Sequence, residues 1–349
     1  YTTLGGIKAV IWTDMIQATI MMGSALAAIA LLYAGIPGGW EEIGRRLAEP
    51  GDLRFLDTGI APDRPWWHGV KAILESEYTI WAGLLGSTFT TMATHGTDQD
   101  MVQRMLTAKD VRRSRLSLVL SGLADIPIVL VFLAIGILLW VHFQANPDPR
   151  LPAKTNEIFC YYILTGMPVG IRGLLVAGIF ATAMGSLSAA LNALATSFTR
   201  DWYLQFIRPR ASEADTLRAA RLATAVFAIL MIAVASGTAA FVILNPKSRI
   251  IPIALGIFGY TYGSLLGVFL VGMLTKKRGN DSGNLIAMAA GFLCVAILSG
   301  LPNDVAAIFG SSLYPQPHWM PRLEFPWRIL FGTLCTAAVA LCFRTPSPR

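Results

Sequence analysis

The chain has 349 residues, of which 54% are hydrophobic and only 14% charged. A water-soluble domain carries roughly 25% charged residues, so the composition excludes a soluble fold and fits an integral membrane protein. The formal net charge of +7 does not indicate nucleic-acid binding, because the basic residues form no stripe with interleaved aromatics.

Cys160, Cys294, Cys335 and Cys342 form no CxxC and fall mostly inside apolar runs, so they imply neither a disulfide framework nor a zinc site. The four histidines (His68, His95, His142 and His318) are scattered and imply no metal cluster. The sequence opens at Tyr1 and leads directly into an apolar run. Further N-terminal segments are therefore expected ahead of it.

A spanning helix needs about 20 mostly apolar residues. Eight segments meet or approach that length: 7–34, 78–106, 116–143, 171–199, 217–244, 250–274, 285–300 and 326–343. They are designated A to H, and G and H are the shortest.

Helix A is preceded by a Gly5-Gly6 pair that reads as a turn, and Asp14 falls well inside its apolar run. An ionisable group within a membrane span costs about 2.5–3.5 kcal/mol on insertion scales and marks a functional position by default. Gln17, one turn on, is placed to orient it. The A–B connection, 35–77, is acidic and broken by Pro and Gly, and Trp66 and Trp67 suit the headgroup level.

Helix B turns polar in THGTDQDMVQRMLTAKD, residues 94–110. Asp98, Gln99, Asp100, Gln103 and Arg104 are too polar for lipid and must face protein or a water-filled cavity. Asp100 and Arg104 are spaced for pairing, which leaves Asp98 for a substrate or another helix. In helix C, Asp125 lies just before Pro127, where proline frees a backbone carbonyl.

Helix D contains GIFATAMGSLSAALNALATSFTRDWY, residues 178–203. One face collects Gly178, Thr182, Gly185, Ser186, Ala189, Asn192, Ala193 and Thr196; the other is bulky, with Phe180, Met184, Leu187, Leu191, Leu194 and Phe198. A small, polar face serves close helix packing. It also serves a sodium ion, a hard cation that takes oxygen ligands. The two readings are compatible. Helix F carries Gly256, Gly259, Gly263 and Gly267 one turn apart, a stripe for helix contact. Its Tyr260 and Tyr262 are suited either to gating a cavity or to packing.

Basic residues concentrate in alternate connections: Lys109, Arg112, Arg113 and Arg115; Arg200, Arg208, Arg210 and Arg218; Lys276, Lys277 and Arg278; Arg344 and Arg349. The positive-inside rule puts these connections, Tyr1 and the C-terminus in the cytoplasm. An even number of spans agrees.

YTTLGGIKAVIWTDMIQ, GTDQDMVQR and AGIFATAMGSLSAALNALATSFTRDWY resemble the sodium/solute symporter family, which includes the sodium–glucose cotransporters. The resemblance implies an all-α LeuT-type transporter, built from two inverted five-helix repeats with ion and solute near the midplane. The whole chain is then one transmembrane domain, in which 7–34 closes the first repeat, 78–274 forms the second, and 285–343 adds helices. The first-repeat helices that lie earlier are expected to be missing.

By the same resemblance, Thr182, Gly185 and Ser186 occupy sodium-site positions, with Asp14 near a second ion. Gly185 departs from the usual serine, and Thr182 offers a replacement hydroxyl. Asp98 and Gln99 match a substrate-cavity segment; Asp125 and Tyr260 are further cavity candidates. The sugar carriers' lysine and glutamine are replaced by Ala124 and Leu255, so the solute stays open among sugar, polyol, acidic sugar, monocarboxylate and amino acid.

The expected activity is sodium-coupled symport in the cell membrane, with sodium as coupling ion and neither an organic cofactor nor a nucleic-acid partner. One charge crossing 100 mV contributes about 2.3 kcal/mol. A proton-coupled or uncoupled carrier, or a transporter-like sensor, is the alternative. An intramembrane enzyme would need HExxH, a paired carboxylate motif or a serine with a base, and the sequence has none. The sequence leaves the oligomeric state open.

Overall fold

The computed structural model describes the chain except residues 1, 49–55, 61–64, 245–249, 309–316, 318 and 346–349, with backbone alone for 2–11, 100, 103–104, 252–253 and 307–308. Among the described residues the regular structure is helical, with turns and irregular connections and one isolated bridge, Arg278–Arg344. In chain order the helices are α1 (Thr2–Ala34), α2 (Gly39–Leu47), α3 (Trp66–Leu74), α4 (Ser87–Thr97), α5 (Gln99–Leu106), α6 (Val111–Ala145), α7 (Thr155–Gly166) and α8 (Val169–Ser197). They continue as α9 (Glu213–Leu244), α10 (Ile250–Leu274), α11 (Asp281–Ser299), α12 (Leu301–Ile308) and α13 (Phe325–Leu341). A π-helical turn, Ala82–Gly86, precedes α4, and a longer one, Phe198–Ile207, extends α8.

Six helices among the described residues are long and apolar enough to span a bilayer, and α13 is a shorter apolar helix. Segments A, C, D, E, F and G correspond to α1, α6, α8, α9, α10 and α11. Segment B departs from expectation. It is not one helix but a π turn, α4 and α5, interrupted at Asp98, whose backbone is extended (φ −80°, ψ 122°). Gly5 and Gly6 also depart, since both lie inside α1 rather than in a turn. Glycine keeps both backbone hydrogen-bonding groups, so a helix runs through it at a cost of only about 1 kcal/mol relative to alanine.

Local chemistry explains several boundaries. The Asp110 carboxylate accepts from Arg113 N–H at 2.8 Å and caps α6. Asn280 Oδ1 does the same for α11 through Gly283 N–H at 2.6 Å. Gly300, at φ 80°, closes α11 in the left-handed conformation that glycine adopts most readily. Pro326 sits in the first turn of α13, where a missing N–H costs nothing.

The chain divides into two compact units. Unit 1 comprises 1–53 and 103–248. Its core joins α1, α2, α6 and α7 through Ala28, Leu32, Ile36, Ile43, Val141 and Tyr162, all buried. Asn146 Nδ2 donates to the Gly35 and His142 carbonyls at 3.0 and 3.1 Å, tying the end of α1 to the end of α6.

Unit 2 comprises 54–102 and 249–349. Here the glycine stripe of α10 meets α13. A Cβ at Gly263 would stand 2.7 Å from the Ile329 carbonyl and 2.9 Å from Gly332 Cα; one at Gly267 would stand 2.6 Å from Thr336 Cβ. In lipid, helices gain little from burying apolar surface against one another, and close van der Waals packing takes over. The stripe permits that approach.

Candidate functional site

The small face of α8 turns inward within unit 1. Gly178, Gly185, Ala189 and Ala193 are buried, while Phe180, Met184, Leu187 and Leu194 are exposed. A bulky face of this kind suits lipid tails, and the small face lets α1 come close. At Gly178 a Cβ would meet Ile20 Cγ2 at 3.2 Å. At Gly185 it would meet Gln17 Oε1 at 2.7 Å and Asp14 Oδ1 at 3.1 Å.

The two polar side chains of α1, one turn apart, thus converge on one glycine of α8. Both are half-buried. One turn before Gly185, Thr182 is half-buried and its hydroxyl donates to the Gly178 carbonyl at 2.9 Å. A hydroxyl has one proton and two lone pairs, so Thr182 Oγ1 keeps acceptor capacity. Carboxylate, amide oxygen and hydroxyl are the hard donors that sodium takes. Ser186 lies on an exposed part of α8.

The substrate-cavity candidates separate. Asp98, at the α4–α5 break, accepts the Tyr262 hydroxyl on Oδ2 at 2.7 Å, and its carbonyl accepts from Val102 N–H at 2.9 Å. The break leaves Asp98 outside a regular helix while α10 supplies its partner. Gln99 is exposed, and Asp125 is exposed on α6. The side chains of Asp100, Gln103 and Arg104, and hence the expected pair, lie outside the described residues.

Tyr260 is engaged elsewhere. Its hydroxyl accepts from Arg328 Nη1 at 3.1 Å and from Ser299 Oγ at 3.2 Å, and the Arg328 guanidinium lies 4.9 Å from its ring centroid. Arg328 Nε also donates to the Leu323 carbonyl at 3.1 Å. Sequence reasoning missed Arg328, although a lone cation one turn into an apolar segment, FPWRIL, was a usable signal. It also missed Tyr262 as the partner of Asp98.

Unit 2 holds a cavity of about 710 Å³, lined by the π turn and α4, by α10, by the start of α13 and by 56–57 and 77–80. Tyr262 is in its wall; Tyr260, Asp98 and Gln99 are not among the lining residues.

These features, long apolar helices with ionisable groups held between them and a broken polar segment, define a multi-pass membrane protein of the transporter class. The sodium:solute symporter family model matches residues 1–291, and the chain belongs to that family. It is 29% identical over 316 residues to the sodium/sialic acid symporter SiaT of Proteus mirabilis, covering 90% of this chain and 58% of that protein. It is 28% identical over 360 residues to the sodium-dependent multivitamin transporter of Oryctolagus cuniculus, covering 99% of this chain and 52% of that one. A solved structure of a Na+-coupled sialic acid symporter, in a substrate-bound outward-open state, superposes with TM-score 0.73 at 26% identity, covering 98% of this chain and 63% of that one.

The LeuT-type fold expected from the resemblance is therefore present, and the family is one of transporters, not enzymes. The chain spans little more than half the length of the relatives it matches.

Proposed function

We propose that the protein carrying this chain is a sodium-coupled symporter that moves a small polar organic solute across the cell membrane by alternating access. The observation that carries this reading is the convergence of Asp14 and Gln17 on Gly185, which gathers hard oxygen donors in the plane of a membrane helix. Relatives that couple solute movement to sodium support it. In this reading Asp14, Thr182, Gly185 and Ser186 belong to the sodium-binding region, and Asp98, Gln99, Asp125 and Tyr260 to the path or support of the solute. Tyr1 and the C-terminus face the cytoplasm, on the basis of the charge bias. A bound ion shifts the conformational equilibrium only by its differential affinity for the two states.

A proton-coupled or uncoupled carrier is the second reading, favoured by one observation: Gly185 brings no hydroxyl to the seam. The test compares thermal unfolding of the protein, expressed from its complete reading frame, in sodium and potassium at equal ionic strength. Asp14→Asn and Ser186→Ala are run alongside. A ligand that binds the folded state raises the midpoint by mass action. The expected result is a gain in sodium only, reduced in both variants. Equal midpoints in the two salts would remove sodium coupling and leave the second reading.

A further inference from the structure

We infer that the cavity of unit 2 takes an organic cation, a solute bearing an ammonium group. This names the solute class of the symport reading and rests on it. The volume, about 710 Å³, lies within the ~300–1,000 Å³ of small-molecule sites. It is far more than a bare sodium ion fills.

The lining selects the charge. Among the described residues, its charged lining is two carboxylates, Asp57 and Glu77. Four aromatic residues share the wall. Phe258 and Tyr262 stack at 5.4 Å between centroids, and Tyr78 meets Phe325 edge-on at 6.4 Å. An aromatic face carries negative potential and attracts a desolvated cation.

Three of the lining hydroxyls point the same way. Thr90 donates to the Gly86 carbonyl at 2.8 Å, Thr94 to the Thr90 carbonyl at 3.1 Å, and Tyr262 to Asp98 at 2.7 Å. Each hydroxyl has a single proton, and in these three it is directed at a protein oxygen. What they can show the cavity is lone pairs. The carboxylates, these three hydroxyls and the π faces thus offer acceptors and negative potential, and Thr79, Ser87 and Thr91 add further hydroxyls to the lining. A carboxylate solute would meet like charge. An ammonium group, which only donates or presents positive charge, fits each of these features.

The experiment uses the protein expressed from its complete reading frame, purified in detergent. Its thermal midpoint is read with choline, with the neutral carbon isostere dimethylbutanol, with lactate and with glucose, each in sodium and in potassium. Choline alone is expected to raise the midpoint. Glu77→Gln should weaken its apparent affinity about tenfold, as loss of a nearby charge does. Asp57→Asn and Phe258→Leu should weaken it too, and they keep the test decisive should Glu77→Gln fail to fold. Stabilisation by the isostere equal to that by choline would overturn the inference, as would stabilisation by lactate or glucose without choline. Sodium stabilisation with no effect of choline would sink the inference and leave symport standing. A choline effect indifferent to sodium would support the inference and sink sodium coupling.

Discussion

The Gln17 side chain of α1 packs against Gly185 of α8, so that a Cβ there would come within 2.7 Å of Gln17 Oε1. Asp14 Oδ1, at 3.1 Å from the same point, flanks it. Glycine is needed here for space rather than for backbone freedom, since α8 runs through it as regular helix.

Gly185→Ala should therefore cost about 1–3 kcal/mol through overpacking, read as a lowered thermal midpoint. Gln17→Ser, which shortens the clashing side chain, should recover most of that loss in the double variant. Contacting residues couple in such a cycle and distant ones add. An additive cycle would mean that the seam yields at some other point.

The α10–α13 seam should be less forgiving. At Gly263 the nearest atoms are the Ile329 carbonyl and the Gly332 backbone, neither of which can rotate away. Gly263→Val should prevent folding or lower the midpoint by several degrees. Gly272→Val, with nothing within 4 Å of its Cβ position, should have little effect. Measuring both in one detergent separates packing from helix propensity, because the substitution is the same.

Much of this architecture was legible because its cause is one-dimensional. Apolar length alone marks α1, α6, α8, α9, α10 and α11, and small-residue spacing marks the buried faces of α8 and α10. The break at Asp98 was not legible. Its polar residues read equally well as a helix end, and what distinguishes a break is a partner 164 residues away, Tyr262. Arg328 was hidden for a similar reason. Its position becomes meaningful only when Gly256 and Gly259 of α10 make room beside it; a Cβ at Gly259 would stand 2.8 Å from Arg328 Cβ. The Asp14–Gln17 pair was legible as polar groups in an apolar run, but its convergence on Gly185 was not.

Tyr262→Phe removes the hydroxyl that Asp98 Oδ2 accepts at 2.7 Å. A hydrogen bond to a charged group contributes about 1.5–3 kcal/mol, and an unsatisfied acceptor adds a penalty when buried. Both residues are only half-buried, so the lower end, about 1.5 kcal/mol, is the expected loss of stability. Asp98→Asn keeps an acceptor oxygen and should lose less than Asp98→Ala. If Tyr262→Phe unfolds at the wild-type midpoint, the bond does not hold the break in place.

Outside the spans, the α6–α7 connection carries a pH-dependent contact. The Tyr161 hydroxyl donates to Asp148 Oδ2 at 2.5 Å, and Arg150 N–H donates to Oδ1 at 2.9 Å. These bonds, the tyrosine's first, hold the Asp148 carboxyl below its ordinary value. The carboxylate in turn pushes the Tyr161 phenol above its own. A carboxyl depressed in the folded state contributes stability above its unfolded pKa, about 3.9, and loses it as pH falls through the folded value. A phenol raised in the folded state contributes below its unfolded pKa, about 10, and loses that as pH rises through the folded one. The midpoint difference between wild type and Tyr161→Phe should therefore be level from about pH 5 to 9 and shrink on either side. A difference that stays constant into acid would mean that the Tyr161 hydroxyl acts independently of the Asp148 charge.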